Sequence, residues 1–273
     1  MMHEHRRSVR FDLVEVAAVG LLVIVAILTV AHQVVAVRIR PLQWWAADGS
    51  KELAPIAQRY GPRRFSRNME EWLIRDFFQD RRGGVFVDVG ANHYRDENNT
   101  YFLETTLGWS GIAIDAQPEF AEGYRQNRPR TRFFSFFIAD ESGTTEELYV
   151  PPDNSLVASS SRAFTEEEGF PGTARKVQTI TLTDLLKREG VNRIDLLSMD
   201  IELAEPRALK GFDIDLFKPA LVCIESHDEV RQAILDYFAR HGYIVVGKYL
   251  RADPKNLYFM PVGALRATEP LAE

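Results

Sequence analysis

VFVDVGAN, residues Val85–Asn92, is a short apolar run that ends at a glycine, and it decides how the rest of the chain is interpreted. Asp88 is the one polar residue among its first five. Runs of this kind are typical of strands buried on both faces, as in parallel sheets covered by helices. Gly90 lets the backbone approach a ligand with no Cβ in the way. The stretch therefore predicts a buried strand that ends beside a binding site.

Similar apolar runs alternate with helical patterns along the chain. The strand-like runs are GIAIDA, TRFFSFFIAD, IDLLSMD and ALVCIES, followed by YIVVGKYL and NLYFMPV. This alternation predicts an α/β fold with a Rossmann-like, doubly wound, mostly parallel sheet and an antiparallel edge formed by the last two strands. Asn68 with Glu71, and Thr181 with Asp184, resemble capping pairs at helix starts. The polar segment 141–176 predicts loops with one edge strand.

The N-terminal region contains the longest uncharged run. Val16–Val37 has 22 residues without a formal charge. As a helix it would measure about 33 Å, enough to cross a hydrocarbon core of about 30 Å. A secretory signal peptide is the alternative, but its apolar region is shorter and ends at a small-residue cleavage site. The pattern favours a single-pass membrane helix, with the bilayer as a partner.

The predicted organisation is an N-terminal tail (1–15), a transmembrane helix (16–37), a juxtamembrane linker (38–67), a globular domain (68–262) and a C-terminal tail (263–273). The linker is basic and aromatic, which suits either a lipid headgroup region or a solvated connection. Basic residues are almost equal in number on the two sides of the span, so the positive-inside rule does not set its orientation. We expect the globular domain to be cytoplasmic, where Cys223 stays reduced.

Composition narrows the range of functions. The net charge is −6 and the pI is about 5.6, which argues against a nucleic-acid partner, since such proteins usually carry a basic face. Cys223 is the single cysteine, so no intramolecular disulfide can form.

Polar residues stand where the predicted strands end. In doubly wound sheets, ligands bind beyond the carboxyl ends of the strands. Asp115 is placed there to accept hydrogen bonds from ribose hydroxyls, or else to cap the start of the next helix. Asp140 would face an adenine edge or simply occupy a turn. The set of strand-ending residues is Asp88, Gly90, Asp115, Asp140, Asp200, Glu225 and His227.

The loop after the first strand lacks the GxGxxG spacing, because Tyr94 stands where a later glycine would be. A pyrophosphate cradle, and with it a dinucleotide cofactor, is therefore disfavoured. A glycine turn followed by a ribose carboxylate suits a nucleoside cofactor without phosphates. S-adenosylmethionine is the common one.

Several ordered motifs resemble one family. They are FVDVGANHYRDENNTYFLETTLGWSGIAIDAQPEF, TITLTDLL, IDLLSMDIELAEPRALKGFDI and LVCIESH. Together they are similar to the FkbM-type methyltransferases, over roughly residues 68–262. The resemblance implies a class I S-adenosylmethionine-dependent methyltransferase fold and transfer to hydroxyl groups, often of sugars or natural products. It also implies site roles: the methionine part of the cofactor would lie against Asp88, Gly90, Ala91 and Asn92, the ribose against Asp115, and the reaction centre against Asp200 and Glu202.

Candidate chemistry follows from the same residues. An O-methyltransferase must align the acceptor hydroxyl with the donor methyl and remove the hydroxyl proton. Asp200, Glu202 and His227 are the candidate bases, with Glu225 orienting His227. Alternatively, Asp200, Glu225 and His227 would hold a hard divalent cation, although no residue is assigned to a metal on spacing alone. His227 also suits a plain helix start. The acceptor would be a hydroxyl-bearing small molecule or, given the anchor, a glycolipid.

One position departs from the family pattern. Leu203 stands where the motif Asp-x-Glu-Gly-x-Glu has glycine. A glycine there implies a positive φ or a close approach, and leucine suits neither. This favours an alternative function as a catalytically silent accessory subunit of a membrane complex, for example a photosynthetic or respiratory one, with partner subunits contacted through the N-terminal helix.

Overall fold

The fold comes from a computed structural model that describes residues 50–61, 63–152, 154–170 and 172–267. In these ranges no helix is both long and apolar enough to cross a bilayer. The predicted span Val16–Val37 lies outside the described residues. The helices are α1 (Ser50–Tyr60), α2 (Glu70–Phe78), α3 (Tyr101–Thr105), α4 (Ala121–Asn127), α5 (Arg162–Glu167), α6 (Leu182–Arg188), α7 (Glu205–Lys210), α8 (Ile214–Phe217) and α9 (Asp228–Arg240).

The strands form two sheets. They are β1 (Val85–Val89), β2 (Ser110–Asp115), β3 (Thr131–Ser135), β4 (Phe137–Ile138), β5 (Thr145–Val150), β6 (Thr173–Ile180), β7 (Leu196–Met199), β8 (Leu221–Glu225), β9 (Tyr243–Val245) and β10 (Asn256–Pro261). The main sheet has the order β3-β2-β1-β7-β8-β10-β9. Neighbouring strands are parallel except at β10, which is antiparallel to both β8 and β9. The predicted doubly wound sheet with an antiparallel pair at one edge is confirmed.

Helices cover both faces of the main sheet, as the apolar run at residues 85–89 predicts. Val87 and Val89 point to one face, where they join a core with α6 and α9. Phe86 points to the other face and packs in a second core with Trp109 and Leu73. Alternate side chains of a strand point in opposite directions, so a strand covered on both faces needs apolar residues at almost every position.

The segment between β4 and β6 is more ordered than the sequence predicts. TRFFSFFIAD divides into β3 and β4, and β4 leaves the main sheet to pair with β6. Residues 141–176, predicted as loops with one edge strand, contain β5, α5 and the start of β6 instead. β5 and β6 are antiparallel neighbours. Their polar sequences reflect one largely exposed face, while Leu148 and Val150 are buried on the other.

Two predictions about helix starts have different outcomes. Thr181 does cap α6, since its side chain accepts a hydrogen bond from the Asp184 amide at 3.0 Å. The Asn68–Glu71 capping pair is wrong: Glu71 instead accepts from the backbone amide of Phe65 at 2.7 Å. The segment predicted as a linker contains α1, whose Ile56 and Tyr60 pack into the second core.

A buried ion pair fixes the segment that follows β1. Arg128 and Glu104 have side-chain exposures of 0% and 3%, and Arg128 Nε donates to the Glu104 carboxylate. The guanidinium also donates to the backbone carbonyls of Tyr94 at 2.8 Å and Thr100 at 3.2 Å. Arg128 thus holds the connection between Gly90 and α3 in place.

Replacing Arg128 by alanine is expected to destabilise the protein by about 3–5 kcal/mol, because the buried carboxylate of Glu104 would lose its cationic partner. Arg125→Ala is the matched control, since Arg125 pairs with Glu122 on the surface with 71% of its side chain exposed. Exposed pairs contribute little. Urea unfolding followed by circular dichroism measures both variants. Equal effects of the two substitutions would contradict this account.

Candidate active site

A crevice lies at the carboxyl ends of the parallel strands, beside the point where the chain order reverses between β1 and β7. Its volume is about 1310 Å³, including its open mouth. Ligands bind at such switch points in doubly wound sheets. The predicted site residues that line it are Asp88, Gly90, Ala91, Asn92, Asp115, Asp200, Glu202, Glu225 and His227.

Gly90 allows the ends of β1 and β7 to meet. Its φ is +80°, and a Cβ at this position would lie 1.7 Å from the carbonyl oxygen of Asp200. The Asp200 amide donates to the carbonyl of Val89 at 2.9 Å. No side chain fits here, so glycine is required by the close approach as well as by its φ. The amides of Gly90 and Ala91 both donate to the Ile114 carbonyl, at 2.9 and 3.0 Å, which draws the turn onto β2.

Asp115 is held by backbone donors on both of its carboxylate oxygens. Oδ2 accepts from the Asn92 amide at 2.9 Å, and Oδ1 accepts from the Gln117 amide at 2.8 Å. The residue is 7% exposed, and burial raises its pKa to about 6. Each oxygen keeps a second lone pair, so the carboxylate can also accept hydrogen bonds from a ligand.

Asp88 lies deeper, at 3% exposure. Its carboxylate accepts from the Thr100 hydroxyl at 2.9 Å, and burial raises its pKa. It lines the floor of the crevice and also links β1 to the start of α3.

Asp140 does not belong to the site. It is absent from the residues that line the crevice, and its carboxylate accepts from Arg207 Nε at 2.8 Å. Hydrogen bonding to Arg207 lowers the pKa of Asp140. The predicted contact with an adenine edge is therefore corrected: Asp140 joins the end of β4 to α7 in a surface ion pair.

Acidic groups and one histidine are concentrated on the β7–β8 side of the crevice. His227 Nε2 lies 3.3 Å from Glu202 Oε2 and 3.1 Å from Glu225 Oε2. These neighbours raise the pKa of His227 to about 10, so the imidazole is protonated at neutral pH. Burial raises the pKa of Glu202. Burial, together with repulsion from Glu225 and Glu202, raises the pKa of Asp200, although Asp200 itself is exposed to the crevice.

Sequence reasoning missed several residues that line the same crevice. Phe164 packs edge-on against the His227 ring with centroids 5.3 Å apart. Gln117 Nε2 donates to the Ser155 carbonyl at 3.1 Å, and Lys255 lies on the border. Ser155 and Phe164 belong to the polar segment between β5 and β6, where no periodic pattern pointed to a site. The signal for Gln117 was its position directly after the strand ending in Asp115.

Comparison with known proteins assigns the family. Residues 88–245, more than half of the chain, match the family described as "Methyltransferase FkbM domain". The chain belongs to the FkbM methyltransferase family. The resemblance expected from the motifs is thus confirmed, and no curated protein matches the sequence.

Two solved structures of methyltransferases are similar to this FkbM-family chain at low identity. One is a TehB-like SAM-dependent methyltransferase from Corynebacterium glutamicum, with 13% identity, a TM-score of 0.42, and coverage of 75% of this chain and 92% of that one. Another is an O-methyltransferase from Bacillus cereus in complex with SAH, with 12% identity, a TM-score of 0.38, and coverage of 78% and 88%.

The turn that departs from the FkbM motif keeps a glycine-like backbone. Glu202 and Leu203 have φ values of +51° and +76°. The Ser159 hydroxyl donates to the Glu202 carbonyl at 2.7 Å, and the Ile201 amide donates to Glu205 Oε1 at 2.9 Å. These bonds hold the turn on both sides. Leu203 is only half-buried, so its side chain has room although its backbone is strained.

Leu203→Gly is expected to be more stable than Leu203→Ala by about 0.5–1 kcal/mol, because alanine keeps the Cβ that penalises a positive φ. Both substitutions remove the rest of the side chain, so their difference is the Cβ strain of about 1–2 kcal/mol less the larger unfolded-state entropy of glycine, about 0.5–1 kcal/mol. Denaturant unfolding of the two variants measures this difference. If the alanine variant were the more stable by the usual advantage of alanine over glycine, the turn would not be strained by its Cβ.

Proposed function

We propose that this FkbM-family chain is an S-adenosylmethionine-dependent O-methyltransferase acting on a hydroxyl of a sugar, glycolipid or natural product. One observation carries the proposal: Asp115, a carboxylate that can bind ribose hydroxyls, and Glu202, a carboxylate that can accept a proton, line a single crevice at the switch point of the sheet. The carboxylate expected to bind the cofactor and the carboxylate expected to accept the proton thus lie in the same crevice.

The chain's residues fit the cofactor without phosphate contacts. Asp115 would accept hydrogen bonds from the ribose hydroxyls, and the turn at Gly90–Asn92 would lie against the methionine part. Asp88 forms part of the same wall. When bound, S-adenosylmethionine supplies an electrophilic sulfonium methyl. The protein then has to position the acceptor and take its proton.

Glu202 is the best candidate for the general base among Asp200, Glu202 and His227. The imidazole of His227 is already protonated at neutral pH, which leaves it no capacity to accept a proton there. A base is most effective when its pKa lies near the working pH, and burial moves the pKa of Glu202 in that direction. His227, hydrogen-bonded to Glu202 and held close to Glu225, is a positioning residue that orients the Glu202 carboxylate.

The location of the reaction is a further proposal, based on sequence alone. Val16–Val37 would tether the domain to a membrane with the globular part in the cytoplasm, which would suit a lipid-linked acceptor. Partner subunits would then meet the same helix. Recovery of full-length protein in the detergent-soluble membrane fraction, and loss of that behaviour when Val16–Val37 is deleted, tests the tether.

The silent-subunit alternative was motivated by Leu203. That motive is weakened because the turn carrying Glu202 keeps positive φ angles despite the leucine. A silent protein would transfer no methyl group from labelled S-adenosylmethionine to any of a panel of sugars, glycolipids and polyketides. It would instead co-purify in stoichiometric amounts with membrane subunits.

Affinity for S-adenosylmethionine is expected to fall about tenfold per pH unit below pH 6 and to level off above it. The ionised Asp115 accepts the ribose bonds, so binding favours the form present above its pKa of about 6. Isothermal titration between pH 5 and 8 measures the profile. Asp115→Asn should bind weakly with no step near pH 6, whereas Asp140→Asn should retain the wild-type profile. A pH-independent affinity in the wild type would argue against this role of Asp115.

Glu202→Gln is expected to lower kcat about 10²–10⁴-fold while affinity for S-adenosylmethionine stays within a few fold. The reason is that the amide cannot accept the hydroxyl proton. Transfer of labelled methyl to the best acceptor of the panel measures kcat, and calorimetry measures binding. Glu229→Gln, an exposed change on α9, is the control. Full activity of the Glu202 variant would remove Glu202 from the mechanism.

A further inference from the structure

Three carboxylates from different elements converge on the β7–β8 side of the crevice, which two of them, Asp200 and Glu225, line. Asp200 follows β7, Glu205 opens α7, and Glu225 ends β8. One oxygen of each lies within 4.8 Å of one oxygen of the other two. A hard divalent cation such as Ca²⁺ binds oxygens at about 2.3–2.6 Å, so two oxygens on the same ion are separated by up to about 5 Å. The spacing therefore suits a shared ion.

A second observation points to a ligand within this cluster. Glu205 has 0% exposure, and its Oε1 accepts from the Ile201 amide at 2.9 Å. Its Oε2 is buried and, among the described residues, has no hydrogen-bond partner. Glu225, at 7% exposure, differs from Glu205 because its Oε2 has an ion-pair contact with His227 Nε2 at 3.1 Å. Buried carboxylate oxygens left without a donor are costly, and a cation would compensate them.

The one histidine offsets only part of this negative charge. His227 Nε2 lies 3.3 Å from Glu202 Oε2 and 3.1 Å from Glu225 Oε2, so a single imidazolium charge is shared between two carboxylates. Within the described residues, His227 forms no ion pair with Asp200 or Glu205. Asp200, Glu205 and Glu225 still form an all-oxygen set. Such sets favour Mg²⁺, Mn²⁺ or Ca²⁺ over metals that prefer nitrogen and sulfur ligands.

We propose that Asp200, Glu205 and Glu225 bind a hard divalent cation at the inner end of the crevice. Asp200 is exposed to the crevice, so an ion at this position can be reached by a ligand there. Cation binding at this site does not require that the chain catalyse a reaction. A catalytic role for the cation rests on the proposed function. In that role the cation would hold the acceptor oxygen and make the acceptor hydroxyl more acidic beside Glu202.

The test uses full-length protein treated with EDTA and then desalted. Titration with MnCl₂ is followed by loss of the free Mn²⁺ signal in electron paramagnetic resonance, and thermal unfolding is recorded with Mn²⁺, Mg²⁺ and Ca²⁺. We expect saturable binding of Mn²⁺ and a rise in the unfolding temperature of several degrees. Glu205→Gln keeps the bond to Ile201 but removes a charge, and should weaken Mn²⁺ binding about tenfold or more.

Asp200→Asn provides a second variant at an exposed position, in case Glu205→Gln does not fold. Asp140→Asn, a carboxylate outside the crevice, should leave Mn²⁺ affinity unchanged. The proposal is overturned if folded wild-type protein binds none of the three cations at millimolar concentration, or if neither cluster variant changes the affinity.

Binding of S-adenosylmethionine and methyl transfer, both measured in EDTA, distinguish the cation proposal from the methyltransferase proposal. Cofactor binding and turnover without any cation binding would contradict the cation site and leave the methyltransferase proposal standing. Cation binding without cofactor binding would contradict the methyltransferase proposal and leave the cation site standing.

Discussion

The contact between the ends of β1 and β7 is the constraint on which the site depends. At Gly90 the backbone of β1 comes so close to the Asp200 carbonyl that a Cβ would overlap it at 1.7 Å. Because the two strands meet there, the side chains that follow β1, β2, β7 and β8 open into the same crevice. Asp115 and Glu202 are separated by 87 positions in sequence and share one cavity through this contact.

Bringing those strand ends together places like charges in a poorly solvated space. Burial is the first cause of the raised pKa values of Glu202 and Glu205. Asp200 opens to the crevice, and repulsion from Glu225 and Glu202 contributes to its raised pKa. Only His227 supplies a cation by direct contact within the cluster, as far as the described residues go. An arrangement in which acids outnumber bases in a buried site opposes folding, and such features persist where a site needs them. The cluster is therefore better explained by a chemical role in the site than by a contribution to the stability of the fold.

The sequence predicted the parts of this molecule that depend on local pattern. Strand ends, the Gly90 turn and the placement of Asp115 follow from apolar runs that stop at a polar residue. What the pattern could not supply is pairing between distant segments. Asp140 ends a strand as predicted, but Arg207 binds it from α7, and no feature near Asp140 indicates that. Ser155 and Phe164 reach the crevice because β5 pairs with β6, and the polar faces of those strands concealed the pairing.

Gly90 and Leu203 show two different reasons for a glycine in a motif. At Gly90 the obstacle to a side chain is overlap with a neighbouring backbone, which no adjustment of the residue itself relieves. At Leu203 the obstacle is a positive φ alone, which costs an L-residue about 1–2 kcal/mol. A cost of that size can be offset by hydrogen bonds on either side of the turn, such as those from Ser159 and Ile201. A departure from a family motif at a position of the second kind therefore changes stability more than geometry, and the carboxylate of Glu202 still lies against His227.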